Sequence, residues 1–313
     1  MSQNPFRSRA IPFLLALLAS CSGTNAEEKA DAAPEASPDT DGHSTTDAPG
    51  ATCDSDRGPV MVEVSTPNGQ RYCIDTTEVT QSDYQQFLLY SHDKPGSEHE
   101  LCDFNTSYEP NIMVSSTAPG GGCLKGIWTP TTTPQHPVSC VDWCDAYAFC
   151  QWAGKRLCGK VGGGEEPTES GNDPNASQWH NACSQGGTTT YSYGNEFDPA
   201  ACSGAVLVPD SGTPDYDAGV PSWTPSDVGS WAGCRGSETP WSGVFDLSGS
   251  VREWTDSCAY YPNQVGGGHW SCRLRGGDFM TDNSEYYACA DPVTSGLEVT
   301  HMTIGFRCCK DLD

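Results

Sequence analysis

Seventeen cysteines in a chain of 313 residues constrain this fold more than any other sequence feature. One of them, Cys21, ends an apolar export-type segment, and the sixteen that remain are an even number. In an oxidising compartment they could form up to eight disulfides, each worth about 2–4 kcal/mol for a medium-sized loop. Zinc is the competing interpretation, because Cys140 and Cys144 have ligand-like spacing, although no matching Cys or His pair follows downstream. We favour a loop-rich domain held by disulfides.

The first 21 residues have the pattern of an export signal. Arg7 and Arg9 precede an apolar run at 11–19, which is too short to cross a bilayer because a spanning helix needs about 20 residues. The segment 18–21, LASC, resembles the bacterial lipobox, so we predict a signal peptide over residues 1–21 and lipidation at Cys21. This predicts membrane attachment through Cys21 in the cell envelope, and the following Ser favours the outer membrane or cell surface. A soluble secreted protein is the alternative.

Composition divides the rest of the chain in two. Residues 22–57 are rich in Ala, Asp, Glu, Ser, Thr and Pro and predict a disordered acidic linker, whereas residues 58–313 are long enough for one large domain. The whole chain has 41 Asp and Glu against 16 Lys and Arg, a formal net charge of −25. Since no basic cluster is available to meet a phosphate backbone, nucleic acid is not an expected partner.

Only three segments have helical periodicity, and the 34 glycines and 23 prolines favour irregular loops elsewhere. The predicted helices follow Thr80, Asp142 and Ser177, which are residues suited to the cap position. Short strands are predicted at 60–64, 72–75 and 273–279. The fold class is therefore α+β with long loops.

Five stretches, in this order, resemble the formylglycine-generating enzyme family, also called sulfatase-modifying factors. They are YCIDTTEVTQSDYQQFL, HPVSCVDWCDAYAFCQWAGKRL, GVFDLSGSVREWTDSC, RLRGGDF and IGFRC. Each is weak alone, but together they extend over nearly the whole domain. The resemblance implies a loop-rich fold related to the C-type lectin fold.

The resemblance also implies two disulfides and a calcium site. It pairs Cys150 with Cys308 and Cys183 with Cys289, and it leaves the other twelve cysteines unassigned. The calcium ligands would be the side chains of Asp246 and Glu253 and the carbonyls of Gly249 and Val251, and converging oxygens of this kind suit calcium. The alternative is a solvated turn in which Glu253 forms a salt bridge.

The family's enzymes hold copper(I) between two cysteines that follow the RGG turn, and this chain departs from that pattern. The equivalent positions here are Asp278 for a serine and Thr281 and Tyr286 for the two cysteines, and Arg252 replaces a tryptophan. A hydroxyl and a phenol cannot replace the thiolates that copper(I) selects. Copper is therefore not expected, no catalytic residue is assigned, and enzymatic activity stays uncertain.

Other catalytic patterns are missing from the sequence. The seven histidines show no metalloprotease spacing, and there is neither a G-x-S-x-G motif nor a P-loop. The cluster of His92 and Asp93 with residues 98–100 could bind a transition metal, but a solvated polar loop is the favoured interpretation.

Three functions remain open. We favour a non-catalytic module that binds a protein or small-molecule ligand through aromatic and charged side chains, since aromatics give large contact area at low entropic cost. The alternatives are an oxidase of exported proteins that uses another cysteine pair, such as Cys308 and Cys309, and a structural surface lipoprotein. The predicted ligand-binding residues are Arg252, Tyr260, Tyr261, His269, Trp270, Asp278, Tyr286 and Tyr287.

Overall fold

The computed structural model describes residues 52–90, 95–96, 98–112, 122–123, 126–204, 225–262, 268–281, 283–291 and 293–312. The predicted signal peptide, Cys21 and most of the predicted linker lie outside these ranges. Residues 52–57, which the sequence assigns to the linker, belong instead to the folded part, because Cys53 is bonded to Cys73 and the Arg57 guanidinium lies 4.7 Å from the Trp152 ring centroid. No helix in the described ranges has the length and apolar character needed to cross a membrane.

Three α-helices and eight strands lie in the described ranges, together with three short 3-10 helices. The α-helices are α1 (Gln81–Tyr90), α2 (Trp143–Trp152) and α3 (Gln178–Cys183). The strands are β1 (Met61–Ser65), β2 (Arg71–Asp75), β3 (Arg156–Leu157), β4 (Arg252–Tyr261), β5 (His269–Arg275), β6 (Thr294–Gly296), β7 (Ile304–Phe306) and β8 (Cys308–Asp311). The 3-10 helices are Thr168–Ser170, Trp241–Gly243 and Ser284–Tyr287.

The helices begin where their caps predict. Asp142 accepts a hydrogen bond from the Asp145 backbone N–H at 2.9 Å, and the Asp145 carboxylate accepts one from the Asp142 N–H at 3.1 Å, which is a reciprocal capping box. The Ser177 hydroxyl caps α3 in the same manner. Gly154, with φ +69°, follows the end of α2, because a residue there must adopt the left-handed conformation.

The strands form two four-stranded sheets. One has the order β1-β2-β8-β3 with antiparallel neighbours, so the C-terminal strand β8 lies inside it. The other has the order β6-β5-β4-β7, in which β7 alone runs parallel to its neighbour. The main hydrophobic core joins α1 and α2 to β4 and β7 and includes Tyr84, Phe87, Phe149, Trp254 and Phe306.

One predicted strand has different bounds, and the longest strand was missed. The strand predicted at 273–279 is β5, which begins earlier, at His269, and ends at Arg275, because Gly276 turns the chain with φ +77°. The longest strand, β4, was not predicted. Its first seven residues are all buried although five of them are polar or charged, so its sequence shows no alternation of apolar and polar residues.

Candidate functional site

All sixteen cysteines in the described ranges are joined in disulfides. The pairs are Cys53–Cys73, Cys102–Cys144, Cys123–Cys140, Cys150–Cys308, Cys158–Cys309, Cys183–Cys289, Cys202–Cys234 and Cys258–Cys272. Two are the pairs that the resemblance implies. Zinc at Cys140 and Cys144 is ruled out because each is bonded to another cysteine, and the oxidase alternative loses its pair because Cys308 and Cys309 bond to different partners.

Arg252 occupies the position where the family carries a tryptophan, at the start of β4. Its Nε donates to Asp278 Oδ2 at 3.1 Å and its Nη1 to Asp291 Oδ2 at 2.9 Å. Its guanidinium carbon lies 4.7 Å from the ring centroid of Tyr286. Burial raises the pKa of Asp291, and the hydrogen bond and charge of Arg252 oppose that rise. One guanidinium thus ties the segment after the RGG turn to β4 by two ion pairs and a cation–π contact.

Two of the residues that the resemblance aligns with the copper region, Asp278 and Thr281, make backbone and ion-pair contacts. Asp278 Oδ1 accepts from the Met280 N–H at 2.9 Å, and the Thr281 N–H donates to the Asp278 carbonyl at 3.2 Å. Tyr287 is buried, and its ring packs on Gly277, where a Cβ atom would come within 2.2 Å of it. Hard oxygen donors and a guanidinium are not a copper(I) site.

The predicted ligand-binding residues separate into two places. Arg252, Asp278, Tyr286 and Tyr287 lie at the base of β4, whereas Tyr260 and three other aromatic or imidazole side chains lie at its far end. Tyr260 pairs with Trp270, and Tyr261 with His269, across the β4–β5 ladder. Eight residues of strand separate Arg252 from Tyr260, about 26 Å at 3.3 Å per residue and somewhat less with the bulge that interrupts this ladder. The eight residues therefore do not form one site.

The predicted calcium site does not fit the contacts of Glu253. Both carboxylate oxygens accept from Arg307 at 2.7–2.9 Å, and Oε2 also accepts from Trp179 Nε1 at 2.7 Å. Three N–H groups supply these contacts, because the Arg307 Nε–H is shared between the two oxygens. Calcium would have to displace a buried guanidinium, so the salt-bridge alternative describes Glu253 better.

Two further buried carboxyl groups lie beside this pair. Asp246 Oδ2 accepts from the Gly229 N–H at 2.6 Å, and burial raises the pKa of Asp246 to about 6. Glu78 is fully buried, its side chain forms a hydrogen bond with that of Asp246, and its Oε2 lies 3.9 Å from Arg307 Nη2. Burial and the charge of Asp246 raise its pKa well above the usual range. Burial thus favours the neutral form of these two carboxyl groups, and the positive charge of Arg307 opposes that effect.

We expect excess calcium chelator to leave the melting temperature of the domain unchanged, because Arg307 already satisfies Glu253. Thermal unfolding followed by circular dichroism, with chelator and with added calcium, measures this. A fall in melting temperature that calcium reverses, and that disappears in Asp246→Asn, would contradict this description of the site.

A groove of about 460 Å³ lies at the N-terminus of α2, and part of the loop that precedes β7 lines it. Its lining includes Phe104, Glu109, Ile112, Asp142, Asp145 and Glu298. Ile112 also packs on a hydrophobic cluster that contains Val251 and Phe279, the neighbours of Arg252 and Asp278. Ile112 thus links the groove lining to this hydrophobic cluster.

Negative charge dominates this groove. Four carboxyl groups line it, and no Lys, Arg or His side chain is among the lining residues. Burial raises the pKa of Asp142 to about 6, with smaller contributions from the charges of Glu98 and Glu298. Burial, then the charge of Asp142, raises the pKa of Asp145. A cation in the groove would favour the ionised form of all four groups.

The predicted histidine cluster is not a metal site in the described part of the chain. His92 and Asp93 lie outside the described ranges. The Glu98 carboxylate accepts from Asn105 at 3.2 Å and from the Tyr108 hydroxyl at 3.1 Å, and His99 packs edge-on against Trp143 with ring centroids 5.2 Å apart. The ligand atoms of Glu98, Cys102 and Cys144 lie within 4.8 Å of one another, but these two sulfurs are bonded to each other.

Sequence reasoning missed Asp291 and the groove. Asp142 and Asp145 were visible as a D-x-x-D capping pattern, but the pattern alone gives no sign that Glu109 and Glu298 come to the same place. Arg252 was noticed only as a departure from the family motif. Its two acidic partners lie 26 and 39 residues away in sequence.

Comparison with known proteins assigns the family. The model of the sulfatase-modifying factor enzyme 1-like domain matches residues 41–312. The chain is 25% identical to the formylglycine-generating enzyme of Mus musculus over 280 residues, which cover 77% of this chain and 66% of that protein. It is 28% identical to the formylglycine-generating enzyme of Streptomyces coelicolor over 198 residues, covering 58% of this chain and 55% of the relative. The chain thus spans about half to two thirds of the length of these relatives.

Solved structures with a similar arrangement include PvdO from Pseudomonas aeruginosa and CarF. PvdO has a TM-score of 0.48 at 17% identity over 80% of this chain and 91% of its own. CarF has a TM-score of 0.47 at 18% identity over 83% of this chain and 97% of its own. From the family model, which matches residues 41–312, we conclude that the chain belongs to the sulfatase-modifying factor enzyme 1-like family.

Proposed function

We propose that this protein is a lipid-anchored, non-catalytic binding member of its family. The observation that carries the proposal is the combination of Arg252 with Asp278, Asp291 and Tyr286 at the family's copper positions. Every cysteine in the described ranges is also bridged, so no thiolate pair is available there for copper(I). The apolar segment and lipobox-like LASC sequence before Cys21 support attachment to the cell envelope.

The ligand in this proposal is a cationic side chain of an exported protein. Four carboxyl groups in the groove would attract a Lys or Arg side chain, and the exposed ring of Phe104 offers a face for its methylenes or charge. The net charge of −25 would speed the approach of such a partner and repel anionic ones.

Two labelled peptides test this binding: one with the sulfatase-type Cys-x-Pro-x-Arg motif, and one with Gln in place of the Arg. We expect the Arg peptide to bind at least tenfold more tightly in fluorescence anisotropy. The double variant Glu109→Gln/Glu298→Gln should weaken its binding about tenfold, because each exposed ion pair contributes up to about 1 kcal/mol. Glu238→Gln, an exposed glutamate outside the groove, serves as the matched control.

The same binding should weaken as the pH falls from 7.5 to 5. Asp142 has a pKa of about 6 in the free groove, so it gains a proton over this range and loses the charge that attracts the ligand. Equal affinity for the Arg and Gln peptides, or an undiminished affinity in the double variant, would refute the groove as the binding site.

A further inference from the structure

The end of the β4–β5 hairpin carries a pair of exposed aromatic rings that neither the copper region nor the acidic groove includes. Tyr260 is 52% exposed and Trp270 is 37% exposed. They are direct partners in the antiparallel ladder, and their ring centroids lie 5.7 Å apart with the planes inclined at 54°. Exposed aromatic rings side by side mark an interaction surface more often than scattered single ones do.

The rings are held in place. Cys258 and Cys272 pair directly in the same ladder and are joined by a disulfide two residues from Tyr260 and Trp270. The Tyr260 ring also lies on Gly268, where a Cβ atom would come within 2.1 Å of the tyrosine hydroxyl oxygen. Glycine at 268 therefore lets the hydroxyl end of the tyrosine ring approach the backbone closely. Surfaces that are ordered before binding lose less entropy when a ligand arrives.

The charges beside the two rings limit the kind of ligand that this surface can bind. The described residues beside the rings, 259–262 (AYYP) and 268–271 (GHWS), contain no Asp, Glu, Lys or Arg, although 18% of the chain is charged. The exposed Glu165 carboxylate, which accepts from the Cys258 N–H at 3.3 Å, would repel an anionic ligand. Nucleic acids and anionic lipids would also be repelled by the net charge of the chain.

We propose that Tyr260 and Trp270 form a stacking platform for a neutral carbohydrate. A pyranose ring presents a face of C–H groups, which packs on an aromatic ring, and a rim of hydroxyls, which the tyrosine hydroxyl and the indole N–H can engage. The platform shares no residue with the acidic groove, so it is independent of the function proposed above. It would let an anchored protein bind an uncharged glycan of the cell surface or its surroundings.

Calorimetric titration of the folded protein with cellohexaose, maltohexaose and the hexamer of β-1,4-linked N-acetylglucosamine tests the platform. We expect at least one of these neutral hexasaccharides to bind. Trp270→Ala and Tyr260→Ala should each weaken that binding at least tenfold, and Trp270→Phe should weaken it less because a ring remains. Tyr90→Ala removes another exposed tyrosine, 68% exposed at the end of α1, and should bind like the unchanged protein.

Melting temperatures of all variants establish that they are folded. Absence of binding to all three saccharides overturns the proposal, as does binding that Trp270→Ala leaves intact. Sedimentation with phosphatidylcholine vesicles that depends on Trp270, without saccharide binding, would assign the platform to a membrane surface instead. The double variant Glu109→Gln/Glu298→Gln should keep full saccharide binding, so failure of the groove and failure of the platform are separable.

Discussion

Serine substitution of all four cysteines in the Cys150–Cys308 and Cys158–Cys309 bridges is expected to leave the domain unfolded at 25 °C. Both bridges attach the C-terminal strand β8 to the region of α2 and β3, and they span 158 and 151 residues. The Cys183–Cys289 bridge lies inside both loops and shortens each to about 50 residues in the unfolded chain, and closing one such loop is worth about 4 kcal/mol in the chain-entropy account. The total stability of a domain is only about 5–15 kcal/mol.

Removal of one bridge should be much milder, because the other still closes the long loop. With one bridge in place, the second bridge closes a loop of only about ten residues. Its removal should therefore cost about 3 kcal/mol. Urea unfolding of the two single-bridge variants and of the four-serine variant measures the difference. If the four-serine variant unfolds at the same urea concentration as the single-bridge variants, the two bridges do not share one loop in this way.

Replacing Arg307 by methionine should lower the free energy of unfolding by about 3–5 kcal/mol at pH 7.5. Arg307 is fully buried, and its guanidinium bonds to Glu253 and to the carbonyls of Asp75 and Phe245 at 2.7–3.1 Å. Without it, the carboxylate of Glu253 stays buried next to Glu78 with no cation, and uncompensated buried charge is what makes such substitutions severe.

The loss should shrink at pH 5, and the sign follows from the raised pKa values. Asp246 has a pKa of about 6 in the folded protein, and Glu78 has one well above its usual value. Such groups stabilise the fold fully below their unfolded pKa, and this contribution is lost as the pH rises through the folded pKa. At pH 5 the cluster therefore takes up protons that partly replace the missing guanidinium.

Chemical denaturation of Arg307→Met at both pH values measures the effect. Arg71→Met is the control, since Arg71 pairs with Glu63 at 3.1 Å on the surface and should contribute no more than about 1 kcal/mol at either pH. A loss for Arg307→Met that is as small as that of the control would contradict the role given to Arg307. So would a loss that is equally large at pH 5 and pH 7.5.

Short motifs in the sequence were enough to predict the helices and two of the disulfides. Asp142 and Ser177 cap the helices that follow them, because short polar side chains satisfy the first free N–H groups of a helix. Two bridges, Cys150–Cys308 and Cys183–Cys289, follow from the motifs shared with the family. The other six could not be paired, because cysteine spacing alone does not fix connectivity.

The candidate sites were less predictable, because they depend on charges that meet only in the folded chain. Strand β4 buries Arg252, Glu253 and Asp256, which are residues that sequence patterns place on the surface. Each is buried only because distant charges lie beside it, as Asp278 and Asp291 do for Arg252. The salt-bridge partner of Glu253 could not be named for the same reason, because Arg307 lies 54 residues later.

The central claim is that this protein does not carry out the copper-dependent oxidation of its family, and a mass-spectrometric activity assay tests it most directly. The purified protein is incubated with copper(I), oxygen and the Cys-x-Pro-x-Arg peptide, and the peptide is then examined for loss of its thiol and gain of an aldehyde. We expect no more conversion than in a metal-free control, because Thr281 and Tyr286 offer no thiolate and every described cysteine is in a disulfide. Repeated turnover of the peptide above that control would contradict the central claim.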